Sequence, residues 1–140
     1  MPDDVVDKIE HDHREVEQLF QRFRSSGSRA VALKVCDELE IHTIAEEERV
    51  YPVLSDEAGE GDQVAEAEDE HEEARQLIDR IREAKDETAL RALMTELETA
   101  VRHHVHEEET DVLPKARGEL SSEELQELGE EFEEAKEELQ

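Results

Sequence analysis

A histidine–glutamate pair that occurs twice constrains the fold of this 140-residue chain more than any other feature. His42 stands four residues before Glu46, and His104 stands four residues before Glu108. Each glutamate is followed six residues later by a proline. Because residues four apart share one face of an α-helix, each copy points an imidazole and a carboxylate the same way. Two such pairs in one small helical protein predict a metal site with two-fold pseudo-symmetry.

A second repeat indicates that the chain is an internal duplication. Residues 12–20 (DHREVEQLF) resemble residues 70–78 (EHEEARQLI), and the second position of each segment is a histidine, His13 or His71. The offset is 58 residues here but 62 residues between the histidine–glutamate pairs. The second half therefore has about four additional residues, which we assign to its internal loop. Two copies of one helical hairpin predict an antiparallel, up-down-up-down four-helix bundle.

Composition and apolar periodicity both favour an all-α fold. The chain has few glycines and prolines and is rich in good helix formers. Apolar residues recur at helical spacing in four segments, residues 4–24, 29–50, 63–84 and 89–112. Asp86 or Thr88 is expected to cap the last of these.

The ends of the bundle are also predicted by local signals. Pro52 is expected to end or kink the second helix, because proline disfavours helical geometry in the residue before it. A capping pattern that starts at Ser121 predicts one more helix. We therefore expect a four-helix domain over residues 1–118 and an amphipathic C-terminal helix over residues 119–140 that docks on the bundle.

Helical phase separates buried from exposed histidines. Each residue advances about 100° around a helix, which places six polar residues on apolar stripes: His13, His42, Glu46, His71, His104 and Glu108. His11 lies nearly opposite its stripe, His103 lies toward an edge, and His106 points away. We therefore expect four imidazoles and two carboxylates to face one core.

Two carboxylates in such a core need compensating positive charge, since burying an unpaired one costs several kcal/mol. Protonated histidines could supply that charge through ion pairs. A metal site accounts better for the two-fold arrangement, because imidazole and carboxylate bind iron, manganese or zinc, and thiolates for a structural zinc site are absent. Two histidine–glutamate pairs with two further histidines fit a dinuclear centre suited to O₂, peroxide or NO chemistry.

The same motifs carry a family resemblance. They are Asp12-His13, His42-x-x-x-Glu46, Glu70-His71 and His104-x-x-x-Glu108, with the proline after each glutamate. Over roughly residues 1–118 their order and spacing resemble the hemerythrin-like proteins with an HHE cation-binding domain. The resemblance implies a non-haem di-iron centre, with two iron ions joined by an oxo, hydroxo or water bridge. It implies iron ligation by His13, His42, Glu46, His71, His104 and Glu108.

The third helix departs from the pattern of the oxygen-carrying hemerythrins. Those proteins add a second histidine one turn from the first, whereas Arg75 stands four residues after His71 and Ala67 stands four residues before it. A centre with fewer imidazoles and more oxygen ligands should favour the oxidised metal. This argues against reversible oxygen carriage and leaves sensing, peroxide or NO turnover, and iron handling.

Tyr51 is a candidate to complete the centre. In an ideal helix it would face away from His42 and Glu46, but Pro52 perturbs the backbone there. Its phenol is therefore a candidate metal ligand or a hydrogen-bond donor to a ligand. Its counterpart in the repeat is Leu113, which favours a packing role.

Four further glutamates lie near the motifs. Glu10 and Glu68 each precede a predicted ligand histidine by three residues, and we expect them at the edge of the stripe. Glu47 and Glu109 follow the predicted ligand glutamates. We expect these two to be exposed helix charges, with orientation of the histidines as the alternative.

The formal net charge of −27 limits the partners of the chain. It argues against nucleic acid and against anionic membrane surfaces, both of which need cationic partners. The acidic surface is interpreted as strongly solvated, with attraction of metal cations as a lesser alternative. Cys36 is a single cysteine, and the sequence shows neither a signal sequence nor an apolar run of membrane length. We therefore expect a cytoplasmic protein. We also expect a monomer or weak homodimer.

The sequence thus predicts a di-iron protein that binds or senses O₂, NO or a related small oxidant. A peroxide-disproportionating or NO-reducing enzyme is the first alternative. An iron-buffering protein without redox catalysis is the second.

Overall fold

The computed structural model describes residues 3–140, and all regular structure in that range is helical. Met1 and Pro2, which begin the predicted 1–118 domain, lie outside the described residues. The helices are α1 (Val5–Ser26), α2 (Arg29–Ala45), α3 (Tyr51–Glu57), α4 (Gly61–Glu83), α5 (Glu87–Glu107), α6 (Leu113–Glu119) and α7 (Ser122–Leu139). Within residues 3–140 no helix is long and apolar enough to cross a bilayer.

Local capping signals fix where the long helices begin. Asp4, Ser28, Asp86 and Ser121 each accept a hydrogen bond from the backbone N–H three residues ahead, at the starts of α1, α2, α5 and α7. The predicted capping box at Ser121 is confirmed, and Asp86 is the cap of α5. α1 ends at Gly27, whose φ of 63° lets its N–H bond back to the carbonyl of Phe23.

The prolines do not end the helices, which corrects the prediction for Pro52. A π-helical turn, Glu46–Val50, joins α2 directly to α3, and the second π-turn, Glu108–Val112, joins α5 to α6 in the same way. Each π-turn adds one residue to a turn of the helix. The added residue separates the proline ring from the backbone carbonyl four residues earlier, with which it would clash in a regular α-helix. The helix therefore runs on through Pro52 to Glu57.

The additional residues of the second half lie in a helix rather than in a loop. His42 is the fourteenth residue of α2, whereas His104 is the eighteenth residue of α5. The turn between α1 and α2 has two residues, and the turn between α4 and α5 has three. The prediction that the loop is about four residues longer was therefore wrong: the loop has one more residue, and α5 has about one more turn of helix before its histidine.

The helices pack as two hairpins, α1 on α2 and α4 on α5, with α2 also on α4. This arrangement is consistent with a hemerythrin-like helical bundle. Two apolar clusters fill its interior, one around Ile9, Tyr51 and Phe132 and the other around Phe20 and Ile81. Between them lies a polar layer formed by His13, His42, Glu46, His71, His104 and Glu108.

The C-terminal helix α7 docks on the bundle, as expected. It packs against α1, α2 and the first π-turn, and it buries Leu128 and Phe132. Gly129 allows a close approach, since a Cβ there would meet the backbone N of Val5 at 3.0 Å. The division of the chain at residues 118 and 119 stays a prediction.

Glu60 is an unexpected buried acid at the start of α4. Its side chain is 0% exposed, and neither carboxylate oxygen has a hydrogen-bond partner. Burial raises its pKa to about 7, with Lys115 acting in the opposite direction and Asp111, Glu108 and Glu119 adding to the rise. The folded-state pKa exceeds the usual value, so ionisation of Glu60 destabilises the fold progressively as pH rises from about 4.5 through 7.

Glu60→Gln should therefore stabilise the protein at pH 8 by about 1–2 kcal/mol and leave it nearly unchanged at pH 4.5. Urea unfolding at the two pH values measures the difference. Glu57→Gln, an exposed neighbour, serves as the control and should have little effect at either pH. Equal effects of Glu60→Gln at both pH values would contradict this account of Glu60.

Candidate metal centre

The structure brings all six predicted ligand residues into the polar layer. Five of them are buried, with exposures of 7% or less, and the His104 side chain is 13% exposed. Their donor atoms form two groups, each within 4.8 Å: His13, His42 and Glu108 in one, and Glu46, His71 and His104 in the other. By contrast, the His103 side chain is 65% exposed, and His106 is also exposed. These positions agree with the helical phase of all eight residues, whereas the role of the first six as metal ligands stays a prediction.

The two glutamates each lie between histidines of both halves of the chain. Glu46 Oε1 is 3.2 Å from His42 Nε2 on its own helix and 3.3 Å from His71 Nε2 on α4. Glu108 presents Oε1 to His13 Nε2 at 3.1 Å and Oε2 to His104 Nε2 at 3.4 Å. Each carboxylate can therefore bridge two positions.

The short contacts around the glutamates lack the geometry of hydrogen bonds. Within the polar layer, five buried atoms have no hydrogen-bond partner among residues 3–140: His13 Nε2, His42 Nε2, both carboxylate oxygens of Glu46 and Glu108 Oε1. Two ligand atoms on one metal ion, with bonds of about 2.0–2.2 Å and an angle between about 90° and 110°, lie about 3–3.5 Å apart. The observed contacts of 3.1–3.4 Å have this spacing. The donor set therefore fits metal cations.

A carboxylate from another helix holds the Nδ1 atom of each buried histidine. Asp12 binds His42 at 2.8 Å, and Glu70 binds His104 at 2.8 Å. Because an ionised carboxylate accepts, Nδ1 donates the proton and Nε2 is left with the lone pair that a metal needs. Asp12 and Glu70 had no predicted role, although both directly precede a histidine in the repeat.

The other two histidines are held by Glu109 and Glu47. His13 Nδ1 donates to Glu109 Oε2 at 2.7 Å, and His71 Nδ1 donates to Glu47 Oε2 at 2.7 Å. The expectation that these glutamates are exposed helix charges was therefore wrong, since both are half-buried and orient histidines. The wide π-turns lie at these positions, so ideal helical phase could not place them.

Basic side chains neutralise three of these four outer carboxylates. Arg14 donates to Glu109 at 2.7 Å, Arg75 donates to Glu47, and Lys136 of α7 donates to Asp12 at 2.7 Å. Glu70 instead lies 3.4 Å from His103. Six carboxylates thus surround the four imidazoles, and they outnumber the three basic side chains that contact them. As long as the imidazoles are neutral, the centre has a deficit of positive charge, which protons or metal ions can offset.

Electrostatics within the layer raise the basicity of the histidines. Burial alone would lower the pKa of His42 and of His104, but the carboxylates of Glu46 and Asp12 raise the first to about 10, and Glu108 with Glu46 and Glu70 raise the second to about 10. Burial alone would raise the pKa of Glu108, and His104 and His13 hold it well below its usual value. Metal ions entering such a site must displace protons from imidazoles.

Tyr51 faces the polar layer, and its hydroxyl donates to Glu108 Oε2 at 2.5 Å. Its oxygen is also 3.3 Å from His71 Nε2, and its ring stacks on His71. The π-turn explains this orientation. The N–H of Tyr51 donates to the carbonyl of Glu46, five residues earlier. Tyr51 therefore shares a helix face with Glu46, as residues four apart do in an α-helix. Leu113 takes the corresponding position and packs in the apolar cluster.

Two other candidates do not contact the histidines. Glu10 is half-buried and Glu68 is exposed. Among the hydrogen bonds and ion pairs of the described residues, neither side chain reaches the centre. Both agree with the expected position at the edge of the stripe.

A cavity of about 30 Å³ adjoins the histidines of the centre. Its walls are largely apolar and include Val16, Leu39, Ile78 and Val101, and all four of these histidines also line it. A cavity of this size has room for a molecule no larger than water or a diatomic.

Comparison with known proteins agrees with this geometry. Residues 4–116 match the sequence profile described as Hemerythrin HHE cation binding domain. The chain belongs to the hemerythrin HHE family. This family membership confirms the resemblance inferred from the motifs.

One curated relative in this comparison comes from Nostoc sp. (strain PCC 7120 / SAG 25.82 / UTEX 2576), where it is named DNA nickase. It is 30% identical over 141 residues, which covers 97% of this chain and 40% of that protein. The chain thus spans less than half the length of this relative. No solved structure matches the chain.

His104→Ala should weaken binding of Co²⁺ or Fe²⁺ at least tenfold, because it removes a donor atom from one group and leaves Glu70 and Glu108 uncompensated. His106→Ala, two residues away on the exposed face, is the matched control and should bind metal like the unaltered protein. Metal analysis after equilibrium dialysis compares the two. Full metal content in His104→Ala, or loss in His106→Ala, would overturn the assignment of α5.

Proposed function

We propose that this hemerythrin HHE protein holds two iron ions and binds or senses O₂, NO or a related small oxidant. The observation that carries the proposal is the set of buried, unpartnered nitrogen and oxygen atoms that converge between the two hairpins. The arrangement of these hairpins as an antiparallel four-helix bundle is part of the proposal. Two ions would remove both the unpaired donors and the charge deficit.

The two groups of donor atoms suggest how the ions divide. His13 and His42 would hold one ion with Glu108, and His71 and His104 would hold the other with Glu46, each glutamate reaching toward both. Imidazole and carboxylate without thiolate suit iron. Cys36 is buried in the apolar cluster around Phe20 and Ile81 rather than in this layer.

The ligand-binding role rests on the apolar cavity beside the histidines. When bound, the iron pair supplies the electrons for reactions with O₂, NO or peroxide. The residues of the chain admit a small neutral molecule through apolar walls, exclude bulk water and hold the imidazoles in place. Neither position one turn from His71 offers an imidazole, since Ala67 has no ligand atom and Arg75 pairs with Glu47.

Tyr51 favours peroxide turnover as a second candidate function. Burial together with Glu108 and Glu46 raises the pKa of its hydroxyl well above the usual 10, so it keeps its proton in the metal-free protein. A hydroxyl that shares a proton with Glu108 can donate it to a bound oxidant or, once a metal is present, bind the metal itself. In peroxide disproportionation, two molecules of hydrogen peroxide yield one O₂ and two waters, and Tyr51 would move protons between them.

Anaerobic titration with NO and exposure to O₂, followed by visible absorption, test the binding proposal. Protein reconstituted with Fe²⁺ should take up two iron ions per chain and change its spectrum with either gas. Fewer than one iron per chain would refute the di-iron centre. Two bound iron ions with no response to NO, O₂ or peroxide would refute ligand binding and support iron holding.

Oxygen evolution from hydrogen peroxide separates the enzyme from the binder. If Tyr51 moves protons, Tyr51→Phe should lower the rate at least tenfold and keep the iron content. Because phenylalanine preserves the packing of the ring, the variant should unfold like the unaltered protein, and a measurement of its stability is the control. Turnover no faster than that of free iron in the unaltered protein would remove the enzymatic candidate, whereas equal rates in both forms would remove Tyr51 from it.

We do not extend DNA nicking to this chain. The net charge of −27 opposes binding to a phosphate backbone, and the similarity spans 40% of the protein with that name. We propose a small diatomic or peroxide ligand rather than DNA as the partner of the centre.

A further inference from the structure

The two halves of the duplicated chain are unequally covered. α7 packs over the face formed by α1, α2 and the first π-turn. The corresponding face of α4, α5 and the second π-turn carries an open cleft of about 150 Å³. We call this the α4–α5 cleft; its ten lining residues include Glu66, Glu70, His104, Glu107, Glu108 and Asp111.

The walls of the α4–α5 cleft are acidic. Four carboxylates stand along it above Glu108, and no lysine or arginine is among its lining residues in the described chain. The neighbouring cavities differ: the one between α1 and α5 is lined by Arg14 and Arg102, and the apolar one contains Arg75. Of these three cavities along the described residues, the α4–α5 cleft is the one whose charged walls attract a cation throughout.

Donor atoms suited to a cation stand at both ends of the cleft. At the rim, Glu70, His103 and Glu107 have ligand atoms within 4.8 Å of one another. At the inner end, the cleft is lined by Glu108, which is 1% exposed and whose Oε2 lies 3.4 Å from His104 Nε2. Its Oε1, which has no hydrogen-bond partner among the described residues, lies 3.1 Å from His13 Nε2. Glu70 connects the two ends, because Oε2 faces His103 and Oε1 binds His104.

Two of the four wall charges are reversed in the other half of the chain. At offsets of 58 and 62, Glu66 corresponds to Lys8, and Asp111 corresponds to Arg49, whereas Glu70 corresponds to the acidic Asp12. Arg49 lies under α7 and donates to Glu138 at 3.3 Å. Glu66 and Asp111 are thus a property of the open face and are not imposed by the repeat.

We propose that the α4–α5 cleft is the route by which divalent cations reach the buried centre. This inference rests on the proposed function. The acidic walls raise the local cation concentration, the donors at the rim capture the ion, and Glu108 receives it at the inner end. Loss of wall charge should therefore slow metal uptake without changing the amount bound at equilibrium.

Stopped-flow uptake of Co²⁺, followed by its visible absorption, tests the route. Glu66→Gln/Asp111→Asn removes two wall charges from residues without hydrogen bonds to the centre. As the control, Glu73→Gln/Glu96→Gln removes one charge from α4 and one from α5 at a separate surface cavity. At low ionic strength the first variant should take up Co²⁺ about threefold to tenfold more slowly, and the second should match the unaltered protein.

The equilibrium amount of Co²⁺ separates this inference from the proposed function. Equal final binding in all three proteins, with slowing confined to the cleft variant and lost at high salt, supports the route. Equal rates in all three, or equal slowing in both variants, would overturn it while leaving the metal centre intact. Failure of the unaltered protein to bind Co²⁺ would overturn the proposed function itself, and the route with it.

Discussion

The structure depends on compensating two buried carboxylates. Glu46 and Glu108 are 0% and 1% exposed, and an unpaired carboxylate in such a place costs several kcal/mol. Four imidazoles surround them, four outer carboxylates orient the imidazoles, and three basic side chains bind most of those carboxylates. Positive charge at the centre, either protons or metal ions, thus stabilises the layer between the two apolar clusters. Folding and metal binding are coupled through the same atoms.

The first of the two π-turns determines that Tyr51 reaches the polar layer. An α-helix through Glu46 would turn Tyr51 away, and the proline would then clash with the preceding turn. The wider turn resolves both conflicts, since it accommodates Pro52 and brings Tyr51 to within 2.5 Å of Glu108. Pro52 would usually end a helix, but here it follows the π-turn that directs the Tyr51 hydroxyl toward the centre.

Helical phase and repetition were sufficient to predict the helical fold, the burial of His13, His42, His71 and His104, and the exposure of His106. They failed where the backbone leaves ideal geometry. The π-turns lie between residues that a regular helix keeps in phase, so Glu47 and Glu109 could not be placed, and Tyr51 stayed ambiguous.

Asp12 and Glu70 were missed for another reason: their partners lie on other helices, and such contacts follow from packing rather than from spacing along one helix. The docked α7 likewise breaks a symmetry that the repeat alone implies, because Lys136 binds Asp12 while Glu70 has no basic partner among the described residues.

A crystal structure of the iron-loaded protein, with anomalous scattering measured at the iron edge, tests the central claim most directly. The account predicts two iron positions within the polar layer, one bound by Nε2 of His13 and His42 and the other by Nε2 of His71 and His104, with Glu46 and Glu108 between them. A single iron, or iron held only by surface carboxylates while the buried imidazoles remain protonated, would contradict it.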